Sequence, residues 1–375
     1  MKILSLFGTR PEAIKMAPII KLLERDHFFT STICITAQHR QMLDQVLDLF
    51  DLTPDYDLNI MKKDQDLFDI TSSVLLRVRD VLEHERPDMI LVHGDTTTCF
   101  AGTLAGFYSQ IPVGHVEAGL RTGNLMAPFP EEANRVMTTR LAKLHLAPTE
   151  EARQNLLREN IPHEAISVTG NSVIDALLWV RKKVSKKNEW GEVFGSAKEI
   201  IQNQMPFILI TGHRRENLGT GFLNICHAIS TLATRHPEIH FIYPVHLNPQ
   251  VQQPVNSLLG KIENIHLIKP LDYAPFVYAM DRCKLILTDS GGVQEEAPSL
   301  GKTVLVMRNT TERPEALAAG TVILVGTNTE KIISETERLL SAPDKQPFDI
   351  TKQNPYGDGK AAGRITEAIR QFLTK

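Results

Sequence analysis

The sequence predicts an α/β protein of two domains, each built on a parallel sheet covered by helices on both faces. Three observations carry that expectation. The chain has 375 residues, more than a single hydrophobic core ordinarily supports. Short, β-rich apolar runs alternate with longer helical patterns along nearly the whole chain. The side chains best suited to chemistry fall where apolar strands end, which in open α/β sheets is the ligand-binding edge.

In the first half, strands are expected over residues 3–7, 32–36, 89–93, 113–117, 145–147 and 166–169. Helical patterns between them cover 12–24, 40–50, 69–83, 99–108, 132–142 and 150–159. Strand 89–93 is almost solid Met-Ile-Leu-Val, as a strand buried on both faces must be. The second half repeats the grammar with strands over 207–211, 240–245, 266–268, 285–288, 303–307 and 322–325. Between the halves, 172–184 reads as a helix carrying Leu177, Leu178 and Val180, and 186–204 is polar with little apolar pattern. A first domain over 1–170 and a second over 171–360 are therefore expected, with an amphipathic helix at 361–375 packing back on the first. Strand ends bearing chemistry in both halves, turned toward each other, make a ligand cleft between the domains.

Composition removes several function classes. A hydrophobic content of 42%, a charged content of 23% and a net charge of −3 describe an ordinary globular chain. No basic run or aromatic-interleaved basic stripe suggests nucleic acid. No apolar stretch approaches the ~20 residues that span a bilayer, and the N-terminal apolar run breaks at Gly8-Thr9-Arg10, too early for a signal peptide. Cys34, Cys99, Cys226 and Cys283 are scattered in or beside apolar runs. They read as buried thiols of a reducing cytoplasm rather than as ligands or disulfides. No metal site is expected, and no Gly-x-Gly-x-x-Gly follows the first strand, so no dinucleotide cofactor is expected either. Gly301-Lys302-Thr303 is not a P-loop, because Glu296 stands where the first glycine belongs and a strand follows. Tyr356 and Lys360 have a dehydrogenase spacing, but Gly357 and Gly359 between them disfavour an ordered helix.

The most informative segment is Leu287-Thr288-Asp289-Ser290-Gly291-Gly292-Val293-Gln294-Glu295-Glu296, where a strand runs into Ser-Gly-Gly and then a helix. Unpaired N–H groups at a helix start sit at the positive end of its dipole, and glycine lets a phosphate approach them. Glu295 and Glu296 cannot hold a phosphate, so at least one is expected to accept from hydroxyls, as an acid does from a ribose. The ligand suggested is a nucleotide.

Other strand ends add chemistry. Gly8-Thr9-Arg10-Pro11-Glu12 places Arg10 after the first strand, with Pro11 suited to a first helical turn; Arg10 is either a phosphate or sugar contact or a surface arginine. His93-Gly94-Asp95 and His115-Val116-Glu117 end buried strands, so Asp95 and Glu117 emerge at the ligand edge, although Asp95 also suits a helix N-cap. Glu131 opens a helix, where it either faces the ligand or only complements the dipole. Three carboxylates aimed at one site suit proton transfer on either face of a sugar. His213, in Thr211-Gly212-His213-Arg214-Arg215-Glu216-Asn217, suits a leaving oxygen or a phosphate, against a structural strand-end histidine. Arg313 suits a bidentate phosphate grip.

Taken together, residues 7–16, 93–98, 115–122, 130–135, 211–217, 288–301, 310–314 and 354–359 resemble the non-hydrolysing UDP-N-acetylglucosamine 2-epimerases of bacteria, over essentially the full length and in order. The resemblance implies two facing Rossmann-like domains in a glycosyltransferase-B-like fold, usually dimeric, with UDP held mainly by the C-terminal domain. It implies reversible conversion of UDP-N-acetylglucosamine (UDP-GlcNAc) to UDP-N-acetylmannosamine (UDP-ManNAc), supplying ManNAc units for surface polysaccharide. By resemblance Asp95, Glu117, Glu131 and His213 match catalytic positions. Arg10, Phe276, Ser290, Gly291, Gly292, Glu296 and Arg313 match UDP-binding ones. Gln38, Gln41 and His246, with Glu131 and His213, match a second, activating UDP-GlcNAc site, but an arginine of some members falls at Asp64. A hydrolysing 2-epimerase, a glycosyltransferase of the same fold and a silent UDP-sugar-binding regulator are the rival readings.

Overall fold

A computed structural model describes the chain apart from residues 38–39, 63, 187–189, 312 and 342–353, and apart from the side chains of residues 40, 41 and 215. It separates into two compact units, Met1–Ala176 with Tyr356–Lys375, and Leu177–Pro355. Each is a Rossmann-like α/β unit.

The first unit holds β1 (Lys2–Phe7), β2 (Thr30–Ile35), β3 (Tyr56–Asp57), β4 (Met89–His93), β5 (Val113–Val116), β6 (Leu144–Ala147) and β7 (Ile166–Val168). Their order is β3-β2-β1-β4-β5-β6-β7, and neighbouring strands pair in parallel. Every residue of β4 is buried, as its unbroken apolar run requires. Helix Thr97–Tyr108 packs close to this sheet because Gly102 and Gly106 lack side chains. A Cβ on Gly102 would lie 2.2 Å from Leu6 Cδ2, and one on Gly106 2.7 Å from Val113 Cγ2. Leu4, Leu6, Ile90 and Val92 share one core with Val74 and Val78 of helix Leu67–Glu85; burying each such side chain contributes roughly 1.5–3 kcal/mol. The C-terminal helix Ala361–Leu373 docks within this unit. The N–H groups of Ala361 and Ala362 donate to Asp175 at 3.1 and 3.0 Å, and Arg370 pairs with Asp26 while lying over Phe28.

The second unit holds β8 (Phe207–Thr211), β9 (His240–Pro244), β10 (Ile265–Ile268), β11 (Leu285–Thr288), β12 (Val304–Val306) and β13 (Val322–Leu324). The order is β10-β9-β8-β11-β12-β13, again parallel. Both sheets are doubly wound, and the strand order reverses between β1 and β4 and between β8 and β11. Ligands bind at that reversal in open α/β sheets.

Three expectations need correction. The stretch expected to show little apolar pattern contributes to the core: Trp190 and Phe194 are buried with ring centroids 4.9 and 6.3 Å from Tyr278, and Ile200 and Ile201 of helix Lys198–Gln202 are buried too. The apolar residues are simply spread thinly among polar ones. β3 went unread because two residues carry no periodicity. The strand expected over 113–117 stops at Val116, because Glu117 has φ 65°, a left-handed conformation that leaves the β region.

Candidate active site

Within the first unit, Arg10 begins helix Arg10–Arg25 directly after β1, with Thr9 as its N-cap and Pro in the first turn. Buried Glu12 accepts from the Gly8 and Thr9 N–H groups at 3.0 and 2.8 Å and from the Thr96 hydroxyl at 2.7 Å. One carboxylate thus ties the turn carrying Arg10 to the turn carrying Asp95, across the strand-order reversal. Burial pushes its pKa up, and the bond from Thr96 opposes that rise.

Asp95 leaves β4 through Gly94, whose φ is 68°. Asn134 donates to the Asp95 carbonyl at 2.9 Å, and Arg135 bonds its carboxylate. Burial raises the Asp95 pKa; Arg135 opposes the rise, Glu117 adds to it, Lys15 opposes it and Glu131 adds to it. Glu117 and Glu131 are therefore both within electrostatic reach of Asp95, with Lys15 and Arg135 as counter-charges. Glu117 bonds Lys15, accepts from Asn171 Nδ2 at 3.1 Å and lies 3.7 Å from His93 Nε2. Its left-handed backbone costs of order 1–3 kcal/mol, and such outliers concentrate at functional sites. Glu131 is the half-buried first residue of helix Glu131–Leu141. Its neighbour Glu132 is buried and has a structural task, accepting from the N–H groups of Thr122 and Gly123, each at 3.0 Å.

Within the second unit, His213 and Arg214 follow β8, and Asp289 and Ser290 follow β11. Asp289 Oδ2 accepts from the His213 and Arg214 N–H groups at 2.9 and 2.8 Å and from Asn217 Nδ2 at 3.2 Å. The His213 ring stacks on His246, with centroids 5.0 Å apart and planes 10° apart. Burial lowers the His213 pKa; Asp289 opposes the fall, and His246 and Arg214 add to it. Ser290 is the N-cap of helix Gly291–Glu296. A Cβ on Gly291 would lie 3.4 Å from the Arg313 guanidinium and 3.8 Å from Arg214 Nη2, so two guanidinium groups flank a glycine helix start. Arg313 is oriented by Glu295, to which its Nε donates at 2.7 Å. Glu296 is buried and accepts from the Tyr273 hydroxyl at 2.8 Å; Phe276 is half-buried one turn along helix Tyr273–Arg282.

Of the residues read as a second ligand site, His246 stacks on His213, Gln38 lies outside the described residues, and so does the side chain of Gln41. Asp64 is exposed. Sequence reading missed Glu12, Lys15, Arg135, Asn171, Arg214 and Asp289. Only Glu12 carried a local signal, the Thr9-x-x-Glu12 capping box. Among the described residues, no group of three His, Cys, Asp or Glu side chains is placed to hold a metal ion, and no helix is long and apolar enough to cross a membrane.

The model of the UDP-N-acetylglucosamine 2-epimerase family matches residues 21–370. The UDP-N-acetylglucosamine 2-epimerase of Escherichia coli strain K12 is 56% identical over 370 residues, covering 99% of this chain and 98% of its own. The crystal structure of the Neisseria meningitidis UDP-GlcNAc 2-epimerase bound to UDP-GlcNAc superposes with a TM-score of 0.88 at 53% identity, covering 99% of this chain and 100% of that one. The Methanocaldococcus jannaschii enzyme in complex with UDP-GlcNAc and UDP gives a TM-score of 0.80 at 34% identity, with 99% and 100% coverage.

Behind the carboxylates stand three buried histidines on adjacent strands, His93, His115 and His145. Burial lowers their pKa values from 6.5 to about 4, about 3 and about 4. The unfolded chain binds protons that the folded one refuses, so their stability contribution is fully present above pH 6.5 and is lost as pH falls toward those values. Each costs up to about 1.4 kcal/mol per pH unit in that window. Urea unfolding followed from pH 7 to pH 5 is expected to show a falling midpoint, with a shallower fall in His115→Gln; a midpoint independent of pH would contradict the assignment.

Proposed function

The chain belongs to the UDP-N-acetylglucosamine 2-epimerase family, and we propose that it interconverts UDP-GlcNAc and UDP-ManNAc by eliminating and re-adding UDP, without hydrolysis. The observation that carries this reading is the carboxylate cluster of Asp95, Glu117 and Glu131. The chain also holds a glycine helix start flanked by Arg313 and Arg214, which suits a diphosphate.

Inverting C2 of an acetamido sugar is difficult because its C–H is not adjacent to a carbonyl. Breaking the C1–O bond solves this: the electron pair leaves with UDP, and positive charge at C1 acidifies the C2–H. A carboxylate takes that proton, the C–H pair becomes the C1=C2 bond, and 2-acetamidoglucal results. Protonation from the opposite face and attack of UDP on C1 give the epimer. Two proton carriers on opposite faces are required, and Asp95, Glu117 and Glu131 supply them. Lys15 and Arg135 keep carboxylates ionised despite burial. His213 serves the glycosidic or diphosphate oxygen. Arg10, Ser290, Gly291, Gly292 and Arg313 hold UDP with Phe276, and Glu296, fixed by Tyr273, accepts from ribose. Stabilising UDP as a leaving group is the largest demand on such a site. The four free, buried cysteines support a cytoplasmic location, and we carry the homodimer of the family resemblance as part of the same reading.

A second reading concerns regulation. The family resemblance supports a UDP-GlcNAc bound at Gln38, Gln41 and His246 that assists catalysis through a population shift.

Incubation with UDP-GlcNAc in deuterated water is expected to place deuterium at C2 of both sugars with no loss of nucleotide sugar. Release of free ManNAc would instead support the hydrolysing enzyme, and product without deuterium would remove elimination. Arg313→Ala is expected to weaken UDP binding by about 1.5–3 kcal/mol, whereas Glu117→Ala should lower kcat with UDP still bound; calorimetry with UDP separates the two. Purified UDP-ManNAc alone should turn over with a lag that a trace of UDP-GlcNAc removes, and a reverse reaction starting at full rate would end the activator reading.

A further inference from the structure

We propose that Asp289 is a positioning residue for His213: its carboxylate holds the imidazole with the proton on Nδ1, leaving Nε2 to serve the departing oxygen. The proposal deepens the epimerase reading and rests on it.

Asp289 is fully buried. Its two oxygens do different things. Oδ2 has three donors, the N–H groups of His213 and Arg214 and the amide of Asn217, which is sufficient for the structural task of holding the loop after β8. Oδ1 is buried and has no hydrogen-bond partner among the described residues, and His213 Nδ1 lies 3.7 Å from it. A buried carboxylate oxygen without a donor is costly, and a small turn of the imidazole supplies one. Bonds of this kind are often long until substrate tightens them.

The groups acting on His213 point the same way. His246, from the segment after β9, stacks on its ring, and Arg214 adjoins it. Both disfavour a second proton, and Asp289, directly after β11, favours it. A neutral Nδ1–H imidazole has no proton on Nε2, so Nε2 first takes one from water and then gives it to the leaving oxygen; the imidazolium formed in between needs that counter-charge, with Nδ1–H donating to it. The loop bonds and the orienting role come from one residue, so the strand end that begins the phosphate cradle also sets the protonation of His213.

Asp289→Asn in the full chain tests this. Its amide oxygen can still accept from the loop, while its NH2 group faces Nδ1 and forces the neutral imidazole to carry its proton on Nε2. Three readouts are taken: the His213 tautomer by long-range proton–nitrogen NMR, assigned with His213→Gln; UDP affinity by calorimetry; and kcat and KM across pH. The wild type is expected to show the Nδ1–H tautomer at neutral pH and the variant the Nε2–H one. The kcat should fall about 100-fold or more, with KM and UDP affinity changed by less than about threefold. An Nε2–H tautomer in the wild type overturns the proposal even if the variant fails to fold, and so does a variant whose kcat and tautomer match the wild type. A chain that did not epimerise would sink the functional reading, yet the tautomer would still decide the Asp289–His213 pair.

Discussion

A doubly wound parallel sheet opens at the place where its strand order reverses and the flanking helices part. Both sheets of this chain meet that constraint, and it decides where polar chemistry can reside. The strands themselves must be apolar because both faces are covered, so β4 and β8 can release functional groups only from their last residues. Arg10 and Asp95 leave β1 and β4, on either side of the first reversal. His213 and Ser290 leave β8 and β11, on either side of the second. Glu12 and Asp289 play corresponding parts, each a buried carboxylate whose acceptors bind the two turns of its own reversal together.

Placing Glu117 and Glu131 within electrostatic reach of a partly buried Asp95 would by itself favour its protonated form. The first unit offsets this with specific partners: Lys15 and Asn171 on Glu117, and Arg135 on Asp95. The left-handed backbone of Glu117 adds a further cost. None of these features improves the packing of the sheet. They fit the proposed reaction, in which abstraction of a weakly acidic C–H needs ionised carboxylates.

Much of this was legible in the sequence because it is local. Continuous apolar runs gave the strands, the glycine at Gly94 and the Ser-Gly-Gly at 290–292 marked the turns, and the candidate residues stood beside them. What was illegible is whatever the fold brings together from a distance. Lys15 and Glu117 are separated by 102 residues and Asn171 and Glu117 by 54, and no pattern in the chain pairs them. Adjacent acids posed a different difficulty. Which of Glu131 and Glu132 is structural depends on helix rotation, and Glu132 turned inward to cap the loop at Thr122 and Gly123. At 295 and 296 one carboxylate orients Arg313 and the other meets Tyr273, a division set by contacts from other elements.

The sequence also places a histidine two residues before each of two carboxylates, in His93-Gly94-Asp95 and His115-Val116-Glu117, which invites a reading as proton relays. The geometry argues otherwise. His115 is fully buried, and its Nε2 lies 2.8 Å from the Gly94 carbonyl, so it fixes the turn from which Asp95 leaves. His93 lies against Glu117 with its pKa driven down, first by burial. Burial keeps both imidazoles neutral, so they brace the turns and carboxylates without competing for protons. On the proposed reading proton transfer falls to the carboxylates of this unit, while His213, whose side chain is 39% exposed, stands in the other.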